Sequence, residues 1–181
     1  VPGFAWSGPM RYCRIEVAKQ AYNFSIAHFT IFSATSREDL HGHNFQVECE
    51  LEAPVGDDGL MFDYAIIKRT LKELCDAIDE KTILPERSPH LTLGTRDGYL
   101  SAEFDGETLL FLARDVMTLP VANTTVEEFS NYFLDKIVSH SALEGRGVRE
   151  VLVKVSSSPG QRGVSCWKDP NQHPNQKGEN A

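Results

Sequence analysis

The sequence lacks several features that mark specialised classes of protein. Its four cysteines, Cys13, Cys49, Cys75 and Cys166, never form a C-x-x-C pair, which argues against a zinc knuckle or a dithiol redox motif. No apolar run approaches the roughly 20 residues that cross a bilayer, and no basic, apolar leader opens the chain. We therefore expect a soluble, cytoplasmic protein with reduced thiols and no membrane association.

Positive charge is also scarce. The chain has 18 Lys and Arg against 26 Asp and Glu, a formal net charge of -8, and no cluster of basic residues. Such a chain repels nucleic acid, so we expect a small-molecule substrate. Its 181 residues, 41% hydrophobic and 24% charged, are typical of a globular protein with one main domain.

Composition divides the chain into three parts. Residues 1–10 contain two Pro and two Gly and show no periodicity, which indicates an N-terminal extension or a cloning remnant, with Met10 as a candidate native start. Residues 11–168 form the predicted domain. Residues 169–181 are polar and rich in Asn, Gln, Lys and Gly, which predicts a disordered tail.

Periodicity within the domain predicts an α+β fold with antiparallel pairing. Alternation predicts one or two strands in residues 11–32, a strand from His41 to Leu51 and a last strand over residues 148–156. Helical spacing predicts one helix from a cap at Asp63 to about Asp79, and a second that begins at a capping box formed by Thr124 and Glu127. Two Asp-Gly turns between residues 84 and 120 suggest a hairpin.

The most informative motif is His41-Gly42-His43. Residues two apart on a strand point to the same side, so both imidazoles can reach one ion. Catalytic zinc is commonly held by three imidazoles with one position left open, and His28, at the end of an alternating apolar segment, is the candidate third ligand. A pair of surface histidines without metal is the alternative.

Four segments resemble successive signatures of the 6-pyruvoyltetrahydropterin synthase and 6-carboxytetrahydropterin synthase family. They are residues 24–28 (FSIAH), 41–45 (HGHNF), 59–64 (GLMFDY) and 123–127 (NTTVE). The resemblance covers residues 12–159 and implies the tunnelling fold, an antiparallel four-stranded sheet with two helices on one face, here with an inserted hairpin. It also implies zinc on His28, His41 and His43, and homotrimers that can pair into homohexamers.

The resemblance also suggests acid and base residues. Glu38 precedes the histidine motif where a subgroup of the family carries a catalytic glutamate in place of cysteine, and a surface loop carboxylate is the alternative. The family's Asp-His pair after the first helix reads Asp79-Glu80 here. Both acids are candidate catalytic groups, with solvated charges at a helix end as the alternative.

Three further positions concern the substrate. Thr125 and Glu127 match family positions near the pocket, although a helix start explains them equally well. The family's pterin-binding glutamate corresponds to Ser157. We therefore expect a zinc enzyme that acts on a non-pterin small molecule, by carbon–carbon cleavage or by amine–aldehyde condensation and cyclisation of the Pictet–Spengler type. The alternatives are cleavage of the side chain of dihydroneopterin triphosphate and a catalytically silent zinc- or ligand-binding module.

Overall fold

The computed structural model describes residues 10–171, so residues 1–9 of the predicted extension and residues 172–181 of the predicted tail lie outside the described residues. The described residues form two α-helices, α1 (Ala65–Ile78) and α2 (Val126–Val138), and twelve strands. The strands are β1 (Arg11–Val17), β2 (Asn23–His28), β3 (Ile31–Ser33), β4 (Ser36–Arg37), β5 (His41–Val55), β6 (Lys81–Pro85), β7 (Thr92–Arg96), β8 (Tyr99–Phe104), β9 (Glu107–Phe111), β10 (Val116–Leu119), β11 (Glu150–Ser158) and β12 (Gln161–Lys168).

The main sheet has seven strands in the order β10-β6-β2-β5-β11-β12, with β1 also paired to the long strand β5. The pairs β2–β6 and β6–β10 are parallel and the others are antiparallel. The observed sheet therefore has more strands than the four predicted, and it contains parallel pairs where only antiparallel pairing was predicted. The difference arises because the chain after α1 returns beside β2 in the same direction, and β10 then extends that edge.

Both helices pack on one face of this sheet in a shared hydrophobic core. The predicted strand alternation is confirmed, since the core-facing residues Phe45, Val47 and Cys49 of β5 are at most 2% exposed. Burial of the apolar stripes of α1 and α2 confirms the helical spacing in the same way. Neither helix is both long and apolar enough to span a membrane.

The start of α2 differs from the prediction by one residue. Thr125, not Thr124, is the N-cap, and its Oγ1 accepts a hydrogen bond from the N–H of Glu128 at 3.4 Å. Thr124 is fully buried, and its hydroxyl donates to the carbonyl of Phe29 at 2.7 Å. Two adjacent threonines satisfy the same cap pattern, and only tertiary contacts decide between them.

Two elements go beyond the sequence prediction. The hairpin expected between residues 84 and 120 is a three-stranded antiparallel sheet of β7, β8 and β9, whose turns are the predicted Asp97-Gly98 and Asp105-Gly106. Strand β12, which follows β11 after a tight turn at Gly160, has no clear alternation and was not predicted.

Gly163 of β12 is buried against the first turn of α2. A Cβ at this position would lie 2.5 Å from the carbonyl oxygen of Val126 and 2.9 Å from the backbone nitrogen of Glu127. Because backbone atoms cannot move away as a flexible side chain can, Gly163→Ala is expected to lower the free energy of unfolding by about 1–3 kcal/mol, the usual cost of overpacking. Chemical denaturation monitored by circular dichroism measures the change.

Val164→Ala is the matched control, because Val164 is the next residue of β12 and is 51% exposed. It is expected to change the free energy of unfolding by less than about 0.5 kcal/mol. Equal stability of the Gly163→Ala variant and the unmodified protein would contradict the close approach of β12 to α2.

Candidate metal centre

Three histidine side chains meet where β2 ends beside the start of β5. His28 pairs with His41 across the two strands, and Ile26 pairs with His43. All three imidazoles contact one another on the core side of the sheet, with His28 and His43 also beside the ring of Phe45. Ring nitrogens from the three residues lie within 4.8 Å of one another. The fold thus brings the three predicted metal ligands together.

His28 is the buried member of this cluster, with 4% of its surface exposed. Its Nδ1 lies 2.9 Å from the carbonyl oxygen of Thr124, which can only accept, so Nδ1 carries the proton and Nε2 keeps a free lone pair. That Nε2 atom is buried and has no hydrogen-bond partner among the described residues. An unsatisfied buried polar atom costs about 1–3 kcal/mol, and a metal ion is a partner that would remove this cost.

The protonation state of His28 also suits a metal. Burial lowers the pKa of His28, and the neighbouring His41 and His43 lower it further, against the opposing effect of the Thr124 carbonyl. His28 is therefore neutral at neutral pH, the form that binds metals. Nδ1 of His41 lies 2.7 Å from the carbonyl oxygen of Asp39, which orients this ring in the same way. Three imidazoles at this spacing fit zinc with an open coordination position.

Glu38 lies directly beside the histidines. Its Oε2 accepts a hydrogen bond from the N–H of Thr30 at 2.9 Å and lies 3.9 Å from Nε2 of His41. Partial burial opposes ionisation, but the bond from Thr30 and the nearby His41 and His28 outweigh it, so the pKa of Glu38 lies below its ordinary value. Glu38 is therefore a carboxylate at neutral pH and can accept a proton.

The three histidines and Glu38 open into a cavity of about 430 Å³. The cavity wall combines apolar residues, Phe32, Phe45 and Val126, with hydroxyl groups from threonine and serine and one further carboxylate, Glu127. No lysine or arginine occurs among the described residues that line it. The cavity therefore offers proton acceptors and hydrogen-bonding groups but no cationic side chain of its own.

All three predicted substrate-binding residues, Thr125, Glu127 and Ser157, line this cavity. Thr125 and Glu127 reach it from the start of α2. Ser157 lies where the pairing of β11 with β12 becomes irregular, between Ser156 and Ser158. An irregularity of this kind re-aims side chains at the end of a strand.

Asp79 and Glu80 lie elsewhere. Oδ1 of Asp79 accepts a hydrogen bond from the N–H of Ser25 at 2.7 Å, and the N–H of Glu80 donates to the carbonyl of Ser25 at 2.8 Å. Glu80 borders a second cavity, which His43 also lines together with its neighbours Gly42 and Asn44. Neither acid lines the histidine cavity, so in one chain the observed role of Asp79 is to join the end of α1 to β2.

The cavity is also lined by four residues that were not predicted from the sequence, Thr30, Phe32, Ser158 and Gln161. Thr30 and Phe32 continue the two-residue spacing from His28, so this periodicity could have identified them. Ser158 and Gln161 flank the turn at Pro159-Gly160, a dipeptide typical of turns that could have predicted this hairpin.

Comparison with known proteins agrees with this arrangement. The sequence model of the family described as 6-pyruvoyl tetrahydropterin synthase matches residues 16–166. A protein of Methanocaldococcus jannaschii named "Putative 6-carboxy-5,6,7,8-tetrahydropterin synthase" is 31% identical over 147 residues, which cover 80% of this chain and 88% of that protein.

Solved structures show the same likeness. The 6-pyruvoyl tetrahydropterin synthase of Plasmodium vivax superimposes with a TM-score of 0.82 at 27% identity and covers 88% of this chain and 99% of its own. A variant of that enzyme, in which a glutamate described as a catalytic residue is replaced by alanine, superimposes with a TM-score of 0.81 at 26% identity, with coverage of 88% and 99%.

Proposed function

Because the chain belongs to the 6-pyruvoyl tetrahydropterin synthase family, we propose that it is a zinc-dependent enzyme that performs acid/base chemistry on a small molecule bound in the histidine cavity. The observation that carries this proposal is the buried Nε2 atom of His28, which has no hydrogen-bond partner among the described residues and lies within reach of His41 and His43. Removal of either of the two less buried ligands, His41 or His43, tests the metal.

The chemistry follows from the groups beside the cluster. His28, His41 and His43 would hold a zinc ion, which would supply a Lewis acid for a carbonyl or hydroxyl oxygen of the substrate. Glu38, held as a carboxylate by the N–H of Thr30, accepts a proton from the adjacent carbon, hydroxyl or nitrogen. The hydroxyl groups of Thr125 and Ser157 orient the substrate by hydrogen bonds. Carbon–carbon cleavage and amine–aldehyde condensation with cyclisation both require a Lewis acid and a nearby group that accepts a proton.

We propose that the substrate is not a reduced pterin. At the position that corresponds to the family's pterin-binding glutamate, this chain has Ser157, which offers a neutral hydroxyl instead of a carboxylate. The absence of lysine and arginine from the described lining also leaves a triphosphate without a counter-charge from the same chain. The first feature disfavours a pterin, and the second disfavours a triphosphate.

A second candidate is cleavage of the side chain of 7,8-dihydroneopterin triphosphate. Glu38 beside the histidines favours it, since a glutamate is described as catalytic in the Plasmodium vivax enzyme. Glu127 on the cavity wall could supply the carboxylate that Ser157 lacks. Mass spectrometry of small molecules that co-purify with the protein distinguishes the two candidate functions, because it identifies either a pterin or a different compound.

Pterin affinity gives a direct test. Two charge-assisted hydrogen bonds from a pterin to a buried carboxylate are each worth about 1.5–3 kcal/mol, and each 1.4 kcal/mol is about a factor of ten in affinity. With serine at position 157, neopterin is expected to bind with a dissociation constant no tighter than about 1 mM, and Ser157→Glu is expected to tighten binding by about 10-fold or more. Isothermal titration calorimetry measures both.

Ser156→Glu is the control, because it adds the same charge to the adjacent residue of β11, which does not line the cavity. It is expected to leave neopterin affinity unchanged. Low-micromolar binding of neopterin to the unmodified protein would refute the non-pterin proposal and favour the second candidate.

We further propose a homotrimer or homohexamer in the cytoplasm, with no nucleic-acid partner. All four cysteines are free, as expected for a reducing compartment. Glu80 does not line the histidine cavity of its own chain, and we propose that a second copy of the chain brings it to the site. Sedimentation analysis measures the oligomeric state.

A further inference from the structure

The small sheet of β7, β8 and β9 packs beside the segment that carries Glu38. Its inner face, which includes Phe104, forms a second hydrophobic cluster with Phe29 and Ile31, the residues just after His28. This cluster is separate from the main core. The small sheet therefore supports the chain around the cavity more than it supports the helices.

Arg37, the residue before Glu38, lies between the two elements. Its guanidinium carbon is 5.0 Å from the ring centre of Phe29 and 5.7 Å from that of Phe104, and its side chain is only 15% exposed. Nη1 donates to the backbone carbonyl of Glu38 at 2.8 Å, and Nη2 pairs with Glu107 of β9 at 3.3 Å. A guanidinium held between rings has little freedom, so both bonds have fixed directions.

Three contacts fix Glu38. Its carbonyl accepts from Arg37, its N–H donates to the carbonyl of Thr30 at 2.9 Å, and its carboxylate accepts from the N–H of Thr30. The backbone contacts set the direction of the Cα–Cβ bond, which in turn aims the carboxylate at His41. Of the three, only the contact from Arg37 links Glu38 to the small sheet.

We propose that Arg37 is a positioning residue for Glu38, and that the sheet of β7, β8 and β9 serves the site by holding this arginine. The inference rests on the proposed function, because it assigns Glu38 as the base. Arg37 does not line the cavity, so it acts on the substrate only through Glu38.

The backbone N–H of Thr30 donates to Oε2 of Glu38, so its exchange rate depends on whether Arg37 holds Glu38 in place. This rate can be measured without substrate or metal. Native-state hydrogen exchange by NMR on the full chain is the measurement. In Arg37→Met, which keeps an apolar stem but no donor, the exchange protection of this amide is expected to fall by about 10-fold or more. The amide of Val47, which donates to the carbonyl of Tyr22, is expected to keep its protection.

Two further variants complete the test. Arg37→Lys is expected to give an intermediate value, since an ammonium can donate to the Glu38 carbonyl but lacks the planar fork that also reaches Glu107. Arg96→Ala removes an arginine of β7 whose side chain is 61% exposed, and is expected to match the unmodified protein.

Three results would overturn the proposal: unchanged exchange of Thr30 in Arg37→Met, an equal loss at Val47, or a lysine variant no better protected than the methionine variant. These results would leave the proposed function intact, because they do not involve turnover. Conversely, normal turnover of Glu38→Gln would remove Glu38 as the base, while the exchange experiment would still report whether Arg37 holds its side chain.

Discussion

Glu38→Gln is expected to lower kcat by about 100-fold or more, the usual size of a lost general base. Glutamine has nearly the same shape, and its carbonyl oxygen can still accept the N–H of Thr30, so the loop keeps its position. The amide cannot accept a proton at neutral pH. Turnover is measured on the compound that mass spectrometry identifies in the purified protein, with 7,8-dihydroneopterin triphosphate assayed in parallel.

Asp39→Asn is the matched control for this experiment. It makes the same change of charge at the adjacent residue, which is exposed and does not line the cavity, and it is expected to keep normal turnover and zinc content. Near-normal turnover of Glu38→Gln would show that the base lies elsewhere. Glu127 would then be tested first, as the other carboxylate of the cavity, and Glu80 next.

Much of the site could be predicted because it depends on local periodicity. The alternation from His41 to Cys49 fixes which residues of β5 face the core, and the two histidines lie on that face. His28 follows from the same rule, since it continues the buried positions Phe24 and Ile26 of β2. Pairing of β2 with β5 then brings the imidazoles together, so no further sequence motif is needed to predict the cluster.

Long-range contacts account for what the sequence did not reveal. Whether Thr124 or Thr125 begins α2 depends on Phe29 and His28, which lie about a hundred residues earlier and bind Thr124. The importance of Arg37 depends on Phe104 and Glu107 of the small sheet. The parallel strands of the main sheet likewise depend on where the chain returns after α1, which periodicity does not encode.

His41→Ala and His43→Ala are each expected to remove most of the bound zinc, from close to one ion per chain to below about one tenth of that value. Two remaining imidazoles cannot hold the ion against water and chelators as three can. Both residues are at least partly exposed, so truncation to alanine leaves the core packing in place. Elemental analysis after dialysis against a weak chelator measures the zinc content.

His90→Ala is the control, because His90 is exposed and lies outside the histidine cavity, and it is expected to keep its zinc. Circular dichroism separates metal loss from unfolding, since the unfolding midpoints of the zinc-free variants should match that of the zinc-free unmodified protein. Unchanged zinc in both variants would eliminate the proposed centre. In that case the buried Nε2 of His28 would need a different partner, and Glu38 would no longer lie beside a bound metal ion.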